Sequence, residues 1–317
     1  MKKYVDSGKK DTRSGFGTGL IELGRKNPDV VALAADLRDS VKMGAFAKEF
    51  PERFFECGIA EANMIGAAAG LAASGKIPFA GSFAAFVSGR VYDQIRQEVC
   101  YGETNVKIAS SHAGITVGED GATHQTMEDI CLMRALPGMT VLVPCDYNQA
   151  RQATLAAAEF NGPVYLRFSR AASANFTDPD EPFVIGKACL MNEGTDVTII
   201  ACGLLGWESL QAAEILESEG ISARVLNIPT IKPLDEDAVI EAAKQTGAVV
   251  VAEEHNMAGG LGELVAGVLS RKRPTPVEFI NGGGRFGESG TPAELFKAYG
   301  FDAAHIAEAA RRAISRK

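Results

Sequence analysis

Short β-rich runs alternate with helical patterns along nearly the whole chain. This predicts an α/β protein of two domains, each a mostly parallel sheet with helices on both faces. Three observations carry the prediction. The strand candidates are continuous apolar runs, as strands buried on both faces are. The segments between them are long enough to be helical crossovers. The chain has 317 residues, which suggests about two domains at ~150 residues each.

The elements follow in order. Strands are expected at Val30–Ala34, Phe54–Cys57, Ile77–Gly81, Val106–Ser110, Thr140–Val143 and Val164–Phe168. Helical patterns lie near 14–25, 61–74, 88–100, 125–135 and 147–160. The texture then breaks: AASANFTDPDEPF, residues 171–183, has no periodicity, two prolines and several turn formers. We place domains at 11–172 and 184–317, with a linker at 173–183. In the second domain strands are expected at Val197–Ala201, Ala223–Asn227, Ala248–Ala252 and Val277–Ile280. Thr291-Pro292-Ala293-Glu294 reads as a capping box with proline at the first helical position.

Composition narrows the function. The formal net charge is −8, so neither nucleic acid nor an anionic membrane is expected as a main partner. An anionic small molecule stays open, because a few local arginines outweigh a global sign. The six cysteines form no C-x-x-C pair and none sits at ligand spacing from the four histidines, so no zinc site is expected. The N-terminus lacks the apolar core of a signal peptide, and no run of about 18 apolar residues occurs. A cytoplasmic location is expected.

Common nucleotide and hydrolase motifs are absent. There is no P-loop and no G-x-S-x-G elbow. Gly15-Phe16-Gly17-Thr18-Gly19 has the wrong spacing for a dinucleotide fingerprint and precedes the first strand. What remains are polar and aromatic residues at strand C-terminal ends, where open parallel sheets bind ligands. Glu61 opens an Ala- and Gly-rich helix, either as a catalytic carboxylate or as one favoured by the helix dipole. Phe83 and Phe86 follow a strand, as a stacking face or as core. Residues 110–125, SSHAGITVGEDGATHQ, hold His112, Asp120 and His124 in a Gly-rich loop that packing explains poorly. Arg167-Phe168-Ser169-Arg170 ends a strand, with arginine forks suited to phosphate or to a domain-boundary ion pair.

Taken in order, ECGIAEANM (56–64), PFAGSFAAF (78–86), YDQIRQ (92–97), HAGITVGEDGATHQ (112–125), RFSR (167–170), PTIKPLD (229–235), EEHNMAGGLGE (253–263) and SGTPAEL (289–295) resemble the C-terminal half of a transketolase. The resemblance runs from about residue 11 to the end. It implies a pyrimidine-binding domain followed by a transketolase C-terminal domain, and thiamine diphosphate as cofactor, whose carbanion does the hard chemistry. Glu61 matches the glutamate that bonds the cofactor's aminopyrimidine. Phe86, with Phe83 nearby, matches the wall that holds this ring. His112 matches an acid–base histidine at the sugar hydroxyls, and Asp120 a residue on a sugar hydroxyl. His124 matches a position near cofactor and substrate, while Ser40 and Arg170 match positions on the sugar phosphate.

The same resemblance exposes a missing half. Family members hold the diphosphate and Mg²⁺, or another divalent ion, through a GDG motif and a later asparagine, and this chain contains no GDG. It implies an N-terminal partner subunit carrying GDG, an α2β2 heterotetramer, and transfer of a two-carbon ketol unit between sugar phosphates. The alternatives are the beta chain of a 2-oxo-acid dehydrogenase first component, and a non-catalytic assembly subunit. The Ser88-Gly89-Arg90 stretch is one residue longer than in some relatives, and neither Arg90 nor His255 receives a role.

Overall fold

Two sheets share the chain. The computed structural model describes residues 4–317. Its strands are β1 (Val30–Ala34), β2 (Phe54–Glu56), β3 (Ile77–Phe83), β4 (Lys107–Ser111), β5 (Thr140–Leu142), β6 (Val164–Arg167), β7 (Cys189–Asn192), β8 (Val197–Ala201), β9 (Ala223–Asn227), β10 (Thr230–Lys232), β11 (Val249–Ala252) and β12 (Val277–Ile280). The first sheet has the order β10-β5-β6-β4-β3-β1-β2 and the second β12-β11-β8-β9-β7. All pairings are parallel except β10 with β5 and β7 with β9. Strands β1, β4 and β8 are buried along their whole length; β1 is apolar throughout, whereas β4 buries Lys107, Ser110 and Ser111 among its residues.

The antiparallel strands were not anticipated. Strand β7 is a short edge whose pattern is only partly buried. Strand β10 comes from the second half of the chain yet joins the first sheet, pairing with β5. Two expected helices also begin differently. The 88–100 segment turns first, then forms a short helical turn, Tyr92–Gln94, and a π-helix, Ile95–Tyr101. The 125–135 helix starts only at Asp129. Gln125 is instead a tie, donating to the carbonyls of Ile115, Gly118 and Glu288. The capping box forms, with Thr291 and Glu294 bonding each other's backbone.

Gly15, Gly17 and Gly19 resolve as packing. They lie on the helix Thr12–Lys26, which crosses the helix Tyr147–Glu159. A Cβ at Gly15 would come within 2.2 Å of the Tyr147 carbonyl oxygen. Side chains are excluded there because two backbones meet.

The EEHN segment after β11 fastens the second domain to the back of the 112–127 loop. Glu253 accepts from the backbone N–H groups of Leu261 and Gly262, capping the helix Leu261–Lys272. Glu254 accepts from the Thr116 N–H at 2.9 Å. His255 is buried; its Nδ1 faces the Asn256 carbonyl and its Nε2 accepts from the Cys131 N–H. That pairing requires a neutral ring protonated on Nδ1. The Asn256 N–H donates to Met127, and Arg134 donates to the carbonyls of Gly259 and Gly260.

The two arginines of Arg167-Phe168-Ser169-Arg170 part ways. Arg167 is buried at the domain boundary, 2.8 Å from Asp129 Oδ2, and donates also to the Glu254 carbonyl. Tyr165 donates to the same carboxylate oxygen at 2.9 Å. Arg167 is therefore the domain-boundary ion pair, and Arg170 is left for the loop side.

Candidate active site

The chemically suggestive residues gather where the first sheet's strands end. Ser40 follows β1, Glu61 follows β2, Phe83 ends β3, His112 follows β4 and Arg170 follows β6. Strand order brings β2, β1, β3, β4 and β6 side by side, so loops distant in sequence meet at one edge.

Glu61 begins the helix Glu61–Ala73 and is only 4 % exposed. Arg90, half-exposed on the turn beyond the short helix Ala84–Val87, donates to its Oε1 at 3.1 Å. The guanidinium carbon of Arg90 also lies 4.1 Å above the Phe86 ring centre. Phe86 and Phe83 stack with centroids 5.7 Å apart and planes 23° apart. His124 meets the Phe86 ring edge-on at 5.5 Å. Its Nδ1 bonds the Thr123 hydroxyl.

His112 stacks on the other side of this group, 3.7 Å from Phe83. Its Nδ1 pairs with Ser111 Oγ at 2.9 Å, and Arg13 Nη1 approaches its Nε2 at 3.5 Å. Since the guanidinium can only donate, Nε2 accepts and Nδ1 carries the proton. Burial pushes the His112 pKa down, and the charges of Arg13, Arg170, His124 and Lys42 push it further, to about 3. His112 is thus a neutral imidazole beside several cations. Its backbone is left-handed, φ +58°, as are Asp36 and Lys42 in the loop that follows β1, φ +60° and +64°. Such strain in non-glycine residues costs about 1–3 kcal/mol each and gathers at functional sites.

Arg13 also donates to the Ser40 carbonyl at 2.9 Å. Arg170 donates to the Val117 carbonyl at 2.5 Å and lies 3.5 Å from Glu119. Contacts therefore link Glu61, Phe86, Phe83, His124, His112 and Ser40, and Arg170 is near enough to act on His112. Asp120 is exposed at the loop tip; among the described residues no hydrogen bond or ion pair ties it to the others. Sequence motifs pointed to neither Arg13 nor Lys42. One signal existed: Arg13 is a cation in the first turn of a helix, where the dipole disfavours it.

A cavity of about 270 Å³ lined by Tyr4, Gln149, Phe183 and Cys189 lies elsewhere, beneath the linker. The donor set fits the aminopyrimidine half of thiamine diphosphate: a buried carboxylate stands beside a flat aromatic face. Among the described residues no three His, Cys, Asp or Glu side chains cluster as a metal site.

An α/β domain with a carboxylate and an aromatic face at its strand ends, and a second α/β domain behind it, is the class this geometry defines, and comparison with known proteins narrows it. The family model for the transketolase pyrimidine-binding domain matches residues 8–174, and that for the transketolase C-terminal domain matches residues 186–306. A transketolase C-terminal section provisionally named in Methanocaldococcus jannaschii is 48% identical over 302 residues, covering 94% of this chain and 95% of that protein. The 6-deoxy-6-sulfo-D-fructose transketolase subunit of a Clostridium species is 45% identical, covering 94% and 92%. The solved structure of a split gene transketolase, described as an inactive beta4 tetramer, superposes with a TM-score of 0.91 at 48% identity, covering 96% of this chain and 98% of that one. The chain belongs to the transketolase family and corresponds to the C-terminal subunit of a split transketolase. The dehydrogenase alternative is not favoured, since these relatives are named as transketolase parts.

Proposed function

We propose that this chain completes the active site of a two-chain, thiamine-diphosphate-dependent transketolase, moving a two-carbon ketol unit from a ketose phosphate to an aldose phosphate. The observation that carries the reading is one juxtaposition: the buried Glu61 and the Phe83–Phe86 stack adjoin a neutral His112 ringed by cations. When bound, the cofactor supplies the carbanion that accepts the ketol unit. Glu61 holds the aminopyrimidine by a hydrogen bond, and Phe86, backed by Phe83, holds the ring flat. His124 lines the same face.

Neutral His112 takes a proton from a sugar hydroxyl and returns one, the work of a general acid–base group. An incoming sugar phosphate offsets the charges of Arg13, Arg170 and Lys42 and so raises the basicity of His112 as it binds. Arg170, Ser40 and Arg13 form the seat for the terminal oxyanion, and Asp120 reaches a sugar hydroxyl. The name of the Clostridium relative carries a sulfo group at that end of the sugar, which the same arginines could also grip.

The division into domains at 11–172 and 184–317 around a 173–183 linker accords with the matched family regions. The diphosphate and its Mg²⁺ belong to an N-terminal subunit bearing GDG, in a cytoplasmic α2β2 assembly. The inactivity of the related beta4 tetramer supports the need for a partner. The test is reconstitution. The lone chain should show no transketolase activity, and mixing it with a GDG-bearing chain, thiamine diphosphate and Mg²⁺ should restore it. Strong activity of the lone chain overturns the two-chain reading. Glu61→Ala should remove activity by orders of magnitude while assembly persists; full activity in that variant makes this a non-catalytic subunit.

A further inference from the structure

Arg90 touches both groups that the proposed function gives to the aminopyrimidine. Its Nη1 donates to Glu61 Oε1 at 3.1 Å, and its guanidinium lies flat enough over Phe86 for a 4.1 Å cation–π contact. A guanidinium is planar, delocalised and rich in N–H donors. It can therefore answer the same carboxylate and the same aromatic face as an aminopyrimidine ring does. We propose that Arg90 is a latch: it fills the pyrimidine seat while the cofactor is absent and must swing out for the cofactor to enter.

The inference rests on the cofactor reading of Glu61 and Phe86. Glu61 is 4 % exposed, and a buried carboxylate without a cation or donor is costly. Arg90 meets that need in the cofactor-free chain. Its own side chain is 50 % exposed and it follows Gly89 on a turn, so departure requires no rearrangement of the core. Only the Arg90 side of the pair is solvated, which screens the attraction to the buried carboxylate, and a cation–π contact at an exposed side chain adds a modest amount. The latch is thus weak enough to open and strong enough to compete. Competition of this kind raises the apparent dissociation constant by the reciprocal of the open fraction.

The test titrates thiamine diphosphate, with Mg²⁺, into the assembled two-chain complex by isothermal calorimetry. Wild type, Arg90→Ala and Arg90→Lys are compared. Arg90→Ala should bind roughly ten-fold more tightly, the factor that about 1.4 kcal/mol represents, and stopped-flow should show faster entry. Arg90→Lys, which keeps the charge and loses the flat contact, should fall between. Weaker binding by Arg90→Ala overturns the latch and makes Arg90 a cofactor ligand; unchanged binding overturns it as well. If Arg90→Ala does not assemble, Arg90→Lys decides: tighter binding supports the latch, and equal or weaker binding overturns it. A wild-type complex that assembles but binds no thiamine diphosphate removes the cofactor reading, and the latch with it.

Discussion

His112 offers a direct measurement of the site's electrostatics. Its folded pKa is depressed from the ordinary 6.5 to about 3, first by burial and then by Arg13, Arg170, His124 and Lys42. The unfolded chain takes up a proton below pH 6.5, and the native site does not until about pH 3. Falling pH therefore favours the unfolded state, and the loss of stability accumulates between these two values. At pH 4.5 the unfolded histidine is about 99 % protonated and the native one almost wholly neutral, which corresponds to roughly 2.6 kcal/mol. Urea denaturation of wild type and His112→Gln at pH 7.5 and 4.5 measures it. The stability gap between the two should move by that amount in the variant's favour on acidification. Proton NMR gives a second reading: of four histidines, the one lost in His112→Gln should stay neutral at pH 4.5. Saturating inorganic phosphate should raise its titration point, since an oxyanion offsets the cations. A His112 that titrates near 6, or a gap that does not move with pH, refutes the electrostatic argument.

Other consequences follow from packing. Arg167→Met leaves the Asp129 carboxylate buried without its cation and should cost about 3–5 kcal/mol, read as a lower urea midpoint. Converting Asp129 as well, to Leu, should recover much of this, which a double-mutant cycle measures. Gly15→Ala drives a Cβ to 2.2 Å from the Tyr147 carbonyl oxygen and should cost about 1–3 kcal/mol in the same assay. Thr291→Ala removes one half of the capping box and should cost about 1 kcal/mol.

Much of the scaffold was legible because its physics is local. The runs at Val30–Ala34 and Val197–Ala201 are strands because runs dominated by branched apolar residues suit a sheet covered on both faces. Thr291-Pro292-Ala293-Glu294 starts a helix because its own side chains satisfy its own backbone. Glu61, expected in the first turn of its helix, lies there. What failed to show was set by distant partners. Nothing in Thr230–Lys232 announces that it joins a sheet built from residues before 170, because the pairing depends on β5. Arg167 and Arg170 look alike in sequence; only Asp129, 38 residues from Arg167, decides which of them is buried. Arg13 contacts Ser40 and His112 across 27 and 99 residues, a separation no motif spans.

The same long-range ties explain why the second domain matters to a site it does not line. The 112–127 loop closes on itself, with the Gly114 N–H donating to the Thr126 carbonyl and turns at Gly118 and Gly121, and further ties come from distant residues. Glu254 holds it at Thr116, the Asn256 N–H holds it at Met127, and Gln125 reaches across to the Glu288 carbonyl. Arg170 fixes the loop's front by donating to Val117. The loop is therefore pinned from behind by residues 254–288 and from the front by the residue proposed to seat the substrate's anion. An oxyanion drawing on Arg170 pulls on the same loop that carries His112 and His124. Substrate binding and the placement of the two histidines are in this way one mechanical problem, and the domain behind the loop supplies its fixed end.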